Sequence, residues 1–286
     1  MISLMRVATV ELDVRTADVD GNLAAARAGV ERAAAHGASL VALPEMWPTS
    51  FVPMPRAEVF EESDRAVEAI VALTETLDVT VVGSAYQVVD DPRLPRNRAH
   101  VLADGEVRAS YDKVHLFSPT AEHVAFSAGS LPPPVVTLRG TDAKVSPIVC
   151  YDLRFPAVAR AAFRGGAEIL VVVAQWPDAR ASHWRALAQG RAAESEAFVV
   201  ACNRVGTDEI GRRKMRLTFS GDAGVYAPSG ALVEPVATEE IPAPDGRVAT
   251  RVTVCEIDLA EVRALRRAVP VAADERLDVV RRWLSA

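Results

Sequence analysis

The stretch VSPIVCYDLRFP, residues 145–156, contains the pattern that decides how this chain folds. A short apolar run, residues 145–149, stops at Cys150, and Pro156 then opens an alanine-rich segment with helical spacing. Short apolar runs that alternate with helical segments are typical of an α/β protein. A rigid sheet can hold side chains from distant segments over one pocket, so α/β enzymes gather their chemistry at strand ends. We therefore interpret Cys150 as a candidate nucleophile.

Two other strand ends carry groups that complement a thiol. Glu45 ends the motif LPE at residues 43–45, and Lys113 lies in YDKVHLF at residues 111–117. Taken singly, each of the three residues has an ordinary interpretation. Cys150 can be a small buried side chain, Glu45 a carboxylate at a helix start, and Lys113 a solvated charge. Together, a nucleophile, a base and a cation at three strand ends favour amide hydrolysis.

The composition limits the classes of function. The 286 residues are 50% apolar, which is enough for the core of one large domain. The net charge of −6 and the absence of a basic run argue against nucleic acid or an anionic membrane as partner. The N-terminal sequence lacks the pattern of a signal peptide, and no apolar run is long enough to span a bilayer. Three widely spaced cysteines predict a reducing, cytoplasmic location. The histidines are scattered, so we expect no protein-bound metal site, and we expect no cofactor.

Strand and helix signals alternate along the chain. The predicted strands are residues 4–12, 39–43, 79–84, 86–89, 98–103, 106–111, 145–150, 168–173, 198–202, 218–226, 232–235 and 251–257. The predicted helices are residues 22–36 with Asp20 as cap, 59–77, 156–164 and 182–196. Hairpin turns are predicted at 104–105 and 228–230, and a long loop at 118–134. Helical and hairpin connections together imply mixed sheets, and we expect two packed sheets covered by helices, in one domain over 1–286 whose residues 259–286 form a C-terminal tail.

The three motifs resemble, in the same order, those of the nitrilase superfamily of carbon–nitrogen hydrolases. The resemblance covers nearly the whole chain. It implies an α/β fold, a nitrilase-like four-layer α-β-β-α sandwich of two mixed sheets. It also implies a homodimer or a higher homo-oligomer, commonly formed through helices beside the nucleophile.

Within the superfamily the chain most resembles the omega-amidase branch. The similar stretches are VAQWP at 173–177, SHW at 182–184 and ACNRVG at 201–206. Glu122 matches a second glutamate that many members carry in the loop after the lysine. Ala223 departs from the serine that usually follows Gly221-Asp222 or its equivalent, and we expect this change to alter local polar packing without removing the chemistry.

The resemblance implies a role for each motif residue. Cys150 attacks the amide carbon and forms a thioester, and Glu45 takes the thiol proton, passes it to the leaving nitrogen and later activates water. Lys113 and the backbone N–H of Tyr151 stabilise the oxyanion. Glu122 orients the lysine or the substrate amide.

Four further residues have two interpretations each. Arg154 is either an anchor for a substrate carboxylate or part of a structural ion pair. Trp176 either forms a wall of the pocket or packs in the core. His115 and His183 are predicted to be structural rather than catalytic. In the same way, Cys202 and Cys255 are predicted to be buried and inert.

The sequence thus predicts an amidase that cleaves a small linear amide to a carboxylate and ammonia. The preferred substrate is the ω-amide of a dicarboxylic or 2-oxo acid, such as 2-oxoglutaramate. The alternatives are a hydrolase of N-carbamoyl compounds or of deaminated glutathione, and a catalytically silent binding protein on the same fold. A nucleotide-binding protein is disfavoured because the chain has no G-x-G-x-x-G or P-loop motif.

Overall fold

Two β-sheets packed face to face form the centre of the protein. A computed structural model describes residues 4–89, 91, 93–210, 214–242 and 248–284. Its strands are β1 (Leu4–Leu12), β2 (Ala38–Ala42), β3 (Thr80–Gln87), β4 (Arg96–Ala103), β5 (Glu106–Asp112), β6 (Val136–Thr137), β7 (Lys144–Val149), β8 (Ile169–Ala174), β9 (Phe198–Asn203), β10 (Val205–Ile210), β11 (Met215–Ser220), β12 (Gly224–Tyr226), β13 (Pro235–Pro242) and β14 (Val248–Asp258).

Both large sheets are mixed, as the sequence predicts. The seven-stranded sheet has the order β13-β14-β1-β2-β3-β4-β5, with β1, β2 and β3 parallel to one another. The five-stranded sheet has the order β12-β9-β8-β7-β6, with β7, β8 and β9 parallel. Strands β10 and β11 form a separate antiparallel hairpin.

Helices cover the outer faces of both sheets. They are α1 (Val19–Ala35), α2 (Ala57–Leu77), α3 (Glu122–Ala125), α4 (Pro156–Arg164), α5 (Ala181–Ser195), α6 (Leu259–Ala268), α7 (Val271–Asp274) and α8 (Leu277–Leu284). Helices α1 and α2 pack on the seven-stranded sheet, and α4 and α5 pack on the five-stranded one. The four-layer α-β-β-α sandwich is thereby confirmed.

The central strands are buried on both faces, which explains their uninterrupted apolar runs. In β2, Leu40 and Ala42 face the other sheet, whereas Val41 faces the helices. Successive side chains of a strand point to opposite faces, so a strand between two apolar layers needs apolar residues at every position. The rigid scaffold that results holds the strand ends near Glu45 and Cys150.

Three sequence-based predictions need correction. Residues 79–84 and 86–89 belong to one strand, β3, because the sheet continues through Ala85. The predicted strand 218–226 is divided: residues 218–220 end β11, and residues 224–226 form β12, which is bridged at Leu232. The β10–β11 hairpin and the edge strand β13 were not predicted, since their polar residues are largely exposed and give no apolar signal.

The other elements agree with the predictions to within a few residues. The turn at Asp104 and Gly105 has both residues at positive φ, as a tight hairpin requires. The long loop 118–134 contains one 3-10 turn and the short helix α3. The tail folds back on α4, where Arg160 and Arg164 both bind Glu275. In the described part of the chain, no helix is long and apolar enough to cross a membrane.

The predicted cap of the first helix was wrong, and the correction can be tested. Asp18, not Asp20, caps α1, and its side chain accepts a hydrogen bond from Gly21 N at 3.1 Å. We expect Asp18→Ala to lower the free energy of unfolding by about 1 kcal/mol, because a helix donor loses its acceptor. Asp20 is 82% exposed and pairs only with Arg65 at the surface, so Asp20→Ala is the matched control and is expected to cost less than about 0.5 kcal/mol. Urea denaturation measures both variants, and equal losses would contradict this capping arrangement.

Candidate active site

Three charged side chains from separate segments of the chain meet in the interior. Lys113 Nζ donates to Glu45 Oε1 at 2.7 Å and to Glu122 Oε1 and Oε2 at 3.0 and 2.8 Å. All three side chains are at most 2% exposed. Cys150 lines the same cavity. The structure therefore brings together the four side chains that the sequence singled out.

Cys150 sits on a strained turn directly after β7. Its φ is +45°, in the left-handed region that costs a non-glycine residue about 1 kcal/mol or more. The 3-10 turn that follows it is held by Asp152, which is fully buried and accepts from Tyr111 Oη, His115 N and His115 Nδ1 at 2.8–2.9 Å. The His115 ring also stacks on Phe155, with 3.6 Å between the ring centres. These contacts fix the nucleophile turn to the end of β5.

The Cys150 side chain is a protonated thiol at neutral pH. Burial raises the pKa of Cys150 well above its usual value, and the negative charge of Glu45 raises it further, while Lys113 acts in the opposite direction. Such a thiol needs a base to become a nucleophile. Cys150 Sγ donates to Gln175 O at 3.9 Å, and the Glu45 carboxylate lies close enough to raise the pKa of the thiol, so Glu45 is the group placed to accept its proton.

The ammonium of Lys113 stays charged although it is buried. Burial alone lowers the pKa of Lys113, but the charges of Glu122 and Glu45 outweigh burial and raise it. Burial also raises the pKa of Glu122, and Lys113 opposes that rise. Glu122 Oε2 accepts a further hydrogen bond from Phe117 N at 2.6 Å. The site thus holds a permanent cation next to the thiol.

Two amide side chains, which the sequence analysis gave no role, fix Glu45. Gln175 N donates to Glu45 Oε2 and Gln175 Nε2 to Glu45 O, both at 2.9 Å. Asn97 Nδ2 donates to Glu45 Oε1 at 2.8 Å and to Glu122 Oε1 at 3.2 Å. Gln175 is held in turn by Arg204, which is fully buried and donates to Gln175 Oε1 at 3.1 Å. Gln175 and Arg204 lie in motifs that the sequence displays, whereas Asn97 carries no motif signal.

Aromatic and apolar side chains form the walls of the cavity. Its volume is about 40 Å³. The apolar lining includes Phe51, Phe117, Tyr151, Trp176, Leu217 and Phe219. Trp176 also packs on Trp184, with 5.5 Å between ring centres, and its Nε1 donates to Arg180 O. Both interpretations of Trp176 therefore apply, since one face lines the cavity and the rest packs in the core.

Arg154 reaches the cavity with an unneutralised charge. Its guanidinium lies 4.7 Å from the centre of the Trp176 ring, and Nη2 lies 3.3 Å from His183 Nδ1. Among the residues that the structure describes, no carboxylate forms an ion pair with Arg154. The guanidinium is therefore available to an anionic ligand in the cavity.

The remaining candidates lie away from the reacting centre. Cys202 and Cys255 are buried, and Cys202 Sγ contacts the carbonyls of Val10 and Ala42. Ala223 lies outside the cavity lining, and its N–H donates to Glu11 Oε1 at 3.2 Å. Within the described ranges, no group of three or more His, Cys, Asp or Glu side chains is arranged to hold a metal ion.

Comparison with known proteins gives one family. The sequence profile of the carbon–nitrogen hydrolases matches residues 6–267. Omega-amidase YafV of Escherichia coli K12 is 32% identical over 247 residues, 86% of this chain and 87% of that protein. The 2-oxoglutaramate amidase of Bacillus subtilis is 28% identical, over 96% of this chain and 98% of its own length. Both relatives are amidases by name.

Comparison with solved structures identifies an amidase of the same kind. An active-site mutant of the Nesterenkonia AN1 amidase, from the nitrilase superfamily, superposes with a TM-score of 0.79 at 27% identity, over 98% of this chain and 97% of that chain. Other structures of that amidase contain butyramide, or an acetamide moiety added covalently to the active-site cysteine. The resemblance to the nitrilase superfamily and its omega-amidase branch is confirmed.

The buried lysine gives a stability test. We expect Lys113→Met to lower the free energy of unfolding by about 3–5 kcal/mol, because two buried carboxylates lose their shared cation. In the variant the folded-state pKa of Glu122 rises further above its unfolded value of about 4.3. A carboxyl raised in this way contributes stability that is present below the unfolded value and lost as pH rises through the folded one. The loss is therefore expected to be larger at pH 8 than at pH 5.

Denaturant unfolding of the variant at the two pH values measures this effect. Lys144 is an exposed lysine of β7, so Lys144→Met is the control and should change stability by less than about 0.5 kcal/mol. A pH-independent loss in Lys113→Met would contradict the arrangement of one cation between two buried carboxyl groups.

Proposed function

The chain belongs to the carbon–nitrogen hydrolase family, and we propose that it cleaves a small amide by acyl transfer to Cys150. The observation that carries this proposal is the buried Lys113 ammonium, bound by Glu45 and Glu122 in the cavity that Cys150 lines. This arrangement supplies a nucleophile, a base and a fixed positive charge within one small space. Amide hydrolysis needs these three groups because the carbonyl is resonance-stabilised and the amine is a poor leaving group.

The first half-reaction forms a thioester. Glu45 accepts the thiol proton as sulfur attacks the carbonyl carbon, and the C=O electron pair moves to oxygen. The same proton then passes from Glu45 to the nitrogen as the C–N bond breaks, and ammonia leaves. The raised pKa of Cys150 supports this order, because a resting thiol must lose its proton during attack.

The developing oxyanion is stabilised by charge that is already in place. Lys113 provides the cation, and the backbone N–H of Tyr151 provides a second donor. A good oxyanion donor contributes about 3–4 kcal/mol to such a transition state. Glu122 keeps the ammonium in position through two contacts of 2.8 and 3.0 Å, and so acts on the reaction through Lys113.

The second half-reaction returns the enzyme to its starting state. Glu45 takes a proton from water, and the hydroxide attacks the thioester carbon. The C–S bond breaks, and Glu45 returns its proton to the sulfur. The product leaves as a carboxylic acid, which ionises to the carboxylate in water. Glu45 therefore acts once as base and once as acid in each half-reaction, which requires a fixed position; Gln175 and Asn97 provide it.

The proposed substrate is a small amide with a carboxylate at its other end, such as an ω-amide of a dicarboxylic or 2-oxo acid. Arg154 lines the cavity without a carboxylate partner among the described residues, and a guanidinium binds a carboxylate bidentately. The names of the omega-amidase and 2-oxoglutaramate amidase relatives support the same class.

The setting of the enzyme is part of the proposal. We propose a single catalytic domain over residues 1–286 that acts in the cytoplasm as a homodimer or a higher homo-oligomer. Three buried, unpaired cysteines support a reducing compartment. The mass of the protein in solution, measured by light scattering, tests the oligomeric state.

Removal of the thiol tests the nucleophile. We expect Cys150→Ala to lower the rate of ammonia release from 2-oxoglutaramate by at least about 10³-fold, because no other group can form the acyl intermediate. Cys255→Ala is the control, since Cys255 is a buried thiol outside the cavity lining, and it is expected to keep wild-type activity. Activity of Cys150→Ala equal to that of the wild type would refute the nucleophile assignment.

Removal of the guanidinium tests the substrate class. We expect Arg154→Met to lower kcat/KM for 2-oxoglutaramate by about 10- to 100-fold, the range for one charge-assisted hydrogen-bonded pair. Hydrolysis of butyramide, which has no carboxylate, should change by less than about threefold. Arg185→Met removes an exposed guanidinium that binds Asp222 instead, and it should change neither substrate. An equal loss for both amides in Arg154→Met would contradict a carboxylate-binding role.

A further inference from the structure

Asn97 occupies a position in the site that neither its strand nor a sequence motif explains. It lies near the start of β4 and is 1% exposed. Its Nδ2 donates to one oxygen of Glu45 and to one oxygen of Glu122, at 2.8 and 3.2 Å. The same two oxygens accept from Lys113 Nζ, at 2.7 and 3.0 Å. Two carboxylate oxygens are thus held together by two donors, one charged and one neutral.

The orientation of the Asn97 amide follows from these contacts. An ionised carboxylate only accepts hydrogen bonds, so the nitrogen must face Glu45 and Glu122. The opposite end of the amide, Oδ1, is buried, and among the described residues no donor reaches it. A polar atom left in this way is unfavourable for folding. The unpaired oxygen makes Asn97 a costly residue for stability alone, which points to a function for its nitrogen end.

The backbone places Asn97 beside Lys113. Lys113 N donates to Asn97 O at 2.9 Å, which extends the β4–β5 ladder by one residue. Asn97 also pairs with Tyr86 across β3–β4, so it is held from both sides of its strand. On the opposite face of the sheet, Arg96 and Arg98 both bind Asp112, which precedes Lys113. The two donors are therefore fixed relative to each other by a rigid three-stranded segment.

We propose that Asn97 is a positioning residue, whose amide nitrogen holds Glu45 and Glu122 a fixed distance apart and so keeps Glu45 in place for proton transfer from Cys150. The inference rests on the proposed function. A neutral donor suits this role because it stabilises both negative charges without competing with Lys113 for the oxyanion. A second cation in its place would draw the carboxylates away from the lysine.

The groups that titrate in this cluster are those that face it from each packed element. Lys113 follows β5, Glu122 begins α3, and Cys150 follows β7. The Tyr86 hydroxyl of β3 stays neutral, because burial raises its pKa.

We expect Asn97→Ala to move the acidic limb of the kcat/KM profile to higher pH by about one unit. A hydrogen-bond donor favours the charged form of the carboxylate it binds, so without the Asn97 donor the cluster takes up a proton at higher pH, and one unit is the scale of one charge-assisted hydrogen bond. Asn97→Asp, which has the same shape but brings a third carboxylate, should move the limb further in the same direction. Asn97→Ser is the second variant if the alanine protein does not fold, and a shift smaller than that of alanine is expected from its shorter donor.

The control is another buried asparagine. Asn22 is 3% exposed and donates to the carbonyls of Arg15 and Pro48, outside the cavity. Asn22→Ala should lower stability but leave the acidic limb within about 0.3 unit of the wild type. This separates a positioning role from a purely structural one, which lowers activity without moving the limb.

A second measurement does not depend on the substrate. The rate of Cys150 alkylation by iodoacetamide, followed by mass spectrometry as a function of pH, reports on the same thiol–carboxylate pair. An acidic limb that moves in Asn97→Ala and not in Asn22→Ala supports the proposal, even for a wild type that releases no ammonia from the amides tested. A wild type that releases no ammonia from any amide tested would overturn the proposed function alone. Unchanged limbs in all Asn97 variants, in both measurements, would overturn the positioning role and leave the proposed function standing.

Discussion

The site depends on one buried cation held between two buried carboxylates. Removing Lys113, Glu45 and Glu122 from water is costly, and the charges are tolerated because the ammonium lies within 3 Å of each carboxylate. This constraint requires three separate segments of chain to end at one point, with little freedom for any of them. The two stacked sheets meet that requirement, because their strands are rigid and buried on both faces. The strain at Cys150 is tolerated for the same reason, since Asp152 ties the turn to the end of β5.

The electrostatics of the cluster explain how a reactive centre stays inactive until a substrate enters. Burial keeps Cys150 protonated, and the nearby Glu45 carboxylate disfavours a resting thiolate. The thiol is thereby protected from unwanted reactions, yet its base lies beside it. In the proposed mechanism, the charge that develops on the oxygen of a bound carbonyl meets a cation that is already present. The energy needed to assemble the site is provided by folding rather than by each catalytic cycle.

Much of this arrangement was predictable from the sequence, and the misses have physical causes. Cys150 and Glu45 were found because apolar runs end just before them, and Lys113 because its motif closes a predicted strand; the three motifs also occur in a known order. Asn97 was missed, since its importance arises only when β3, β4 and β5 pair and place it beside Lys113. The hairpin β10–β11 was missed because exposed strands need no apolar pattern. The left-handed backbone of Cys150 has no sequence signal, because the residue there is not glycine.

The most direct test of the account is to trap the acyl intermediate. Wild-type protein is mixed with 2-oxoglutaramate, quenched with acid within the first turnovers, and digested for peptide mass spectrometry. The account predicts the mass of the acyl group on the peptide that contains Cys150, and on neither of the peptides that contain Cys202 and Cys255. Turnover of the amide with no adduct on Cys150, in the quenched wild type and in a variant slowed at thioester hydrolysis, would contradict it.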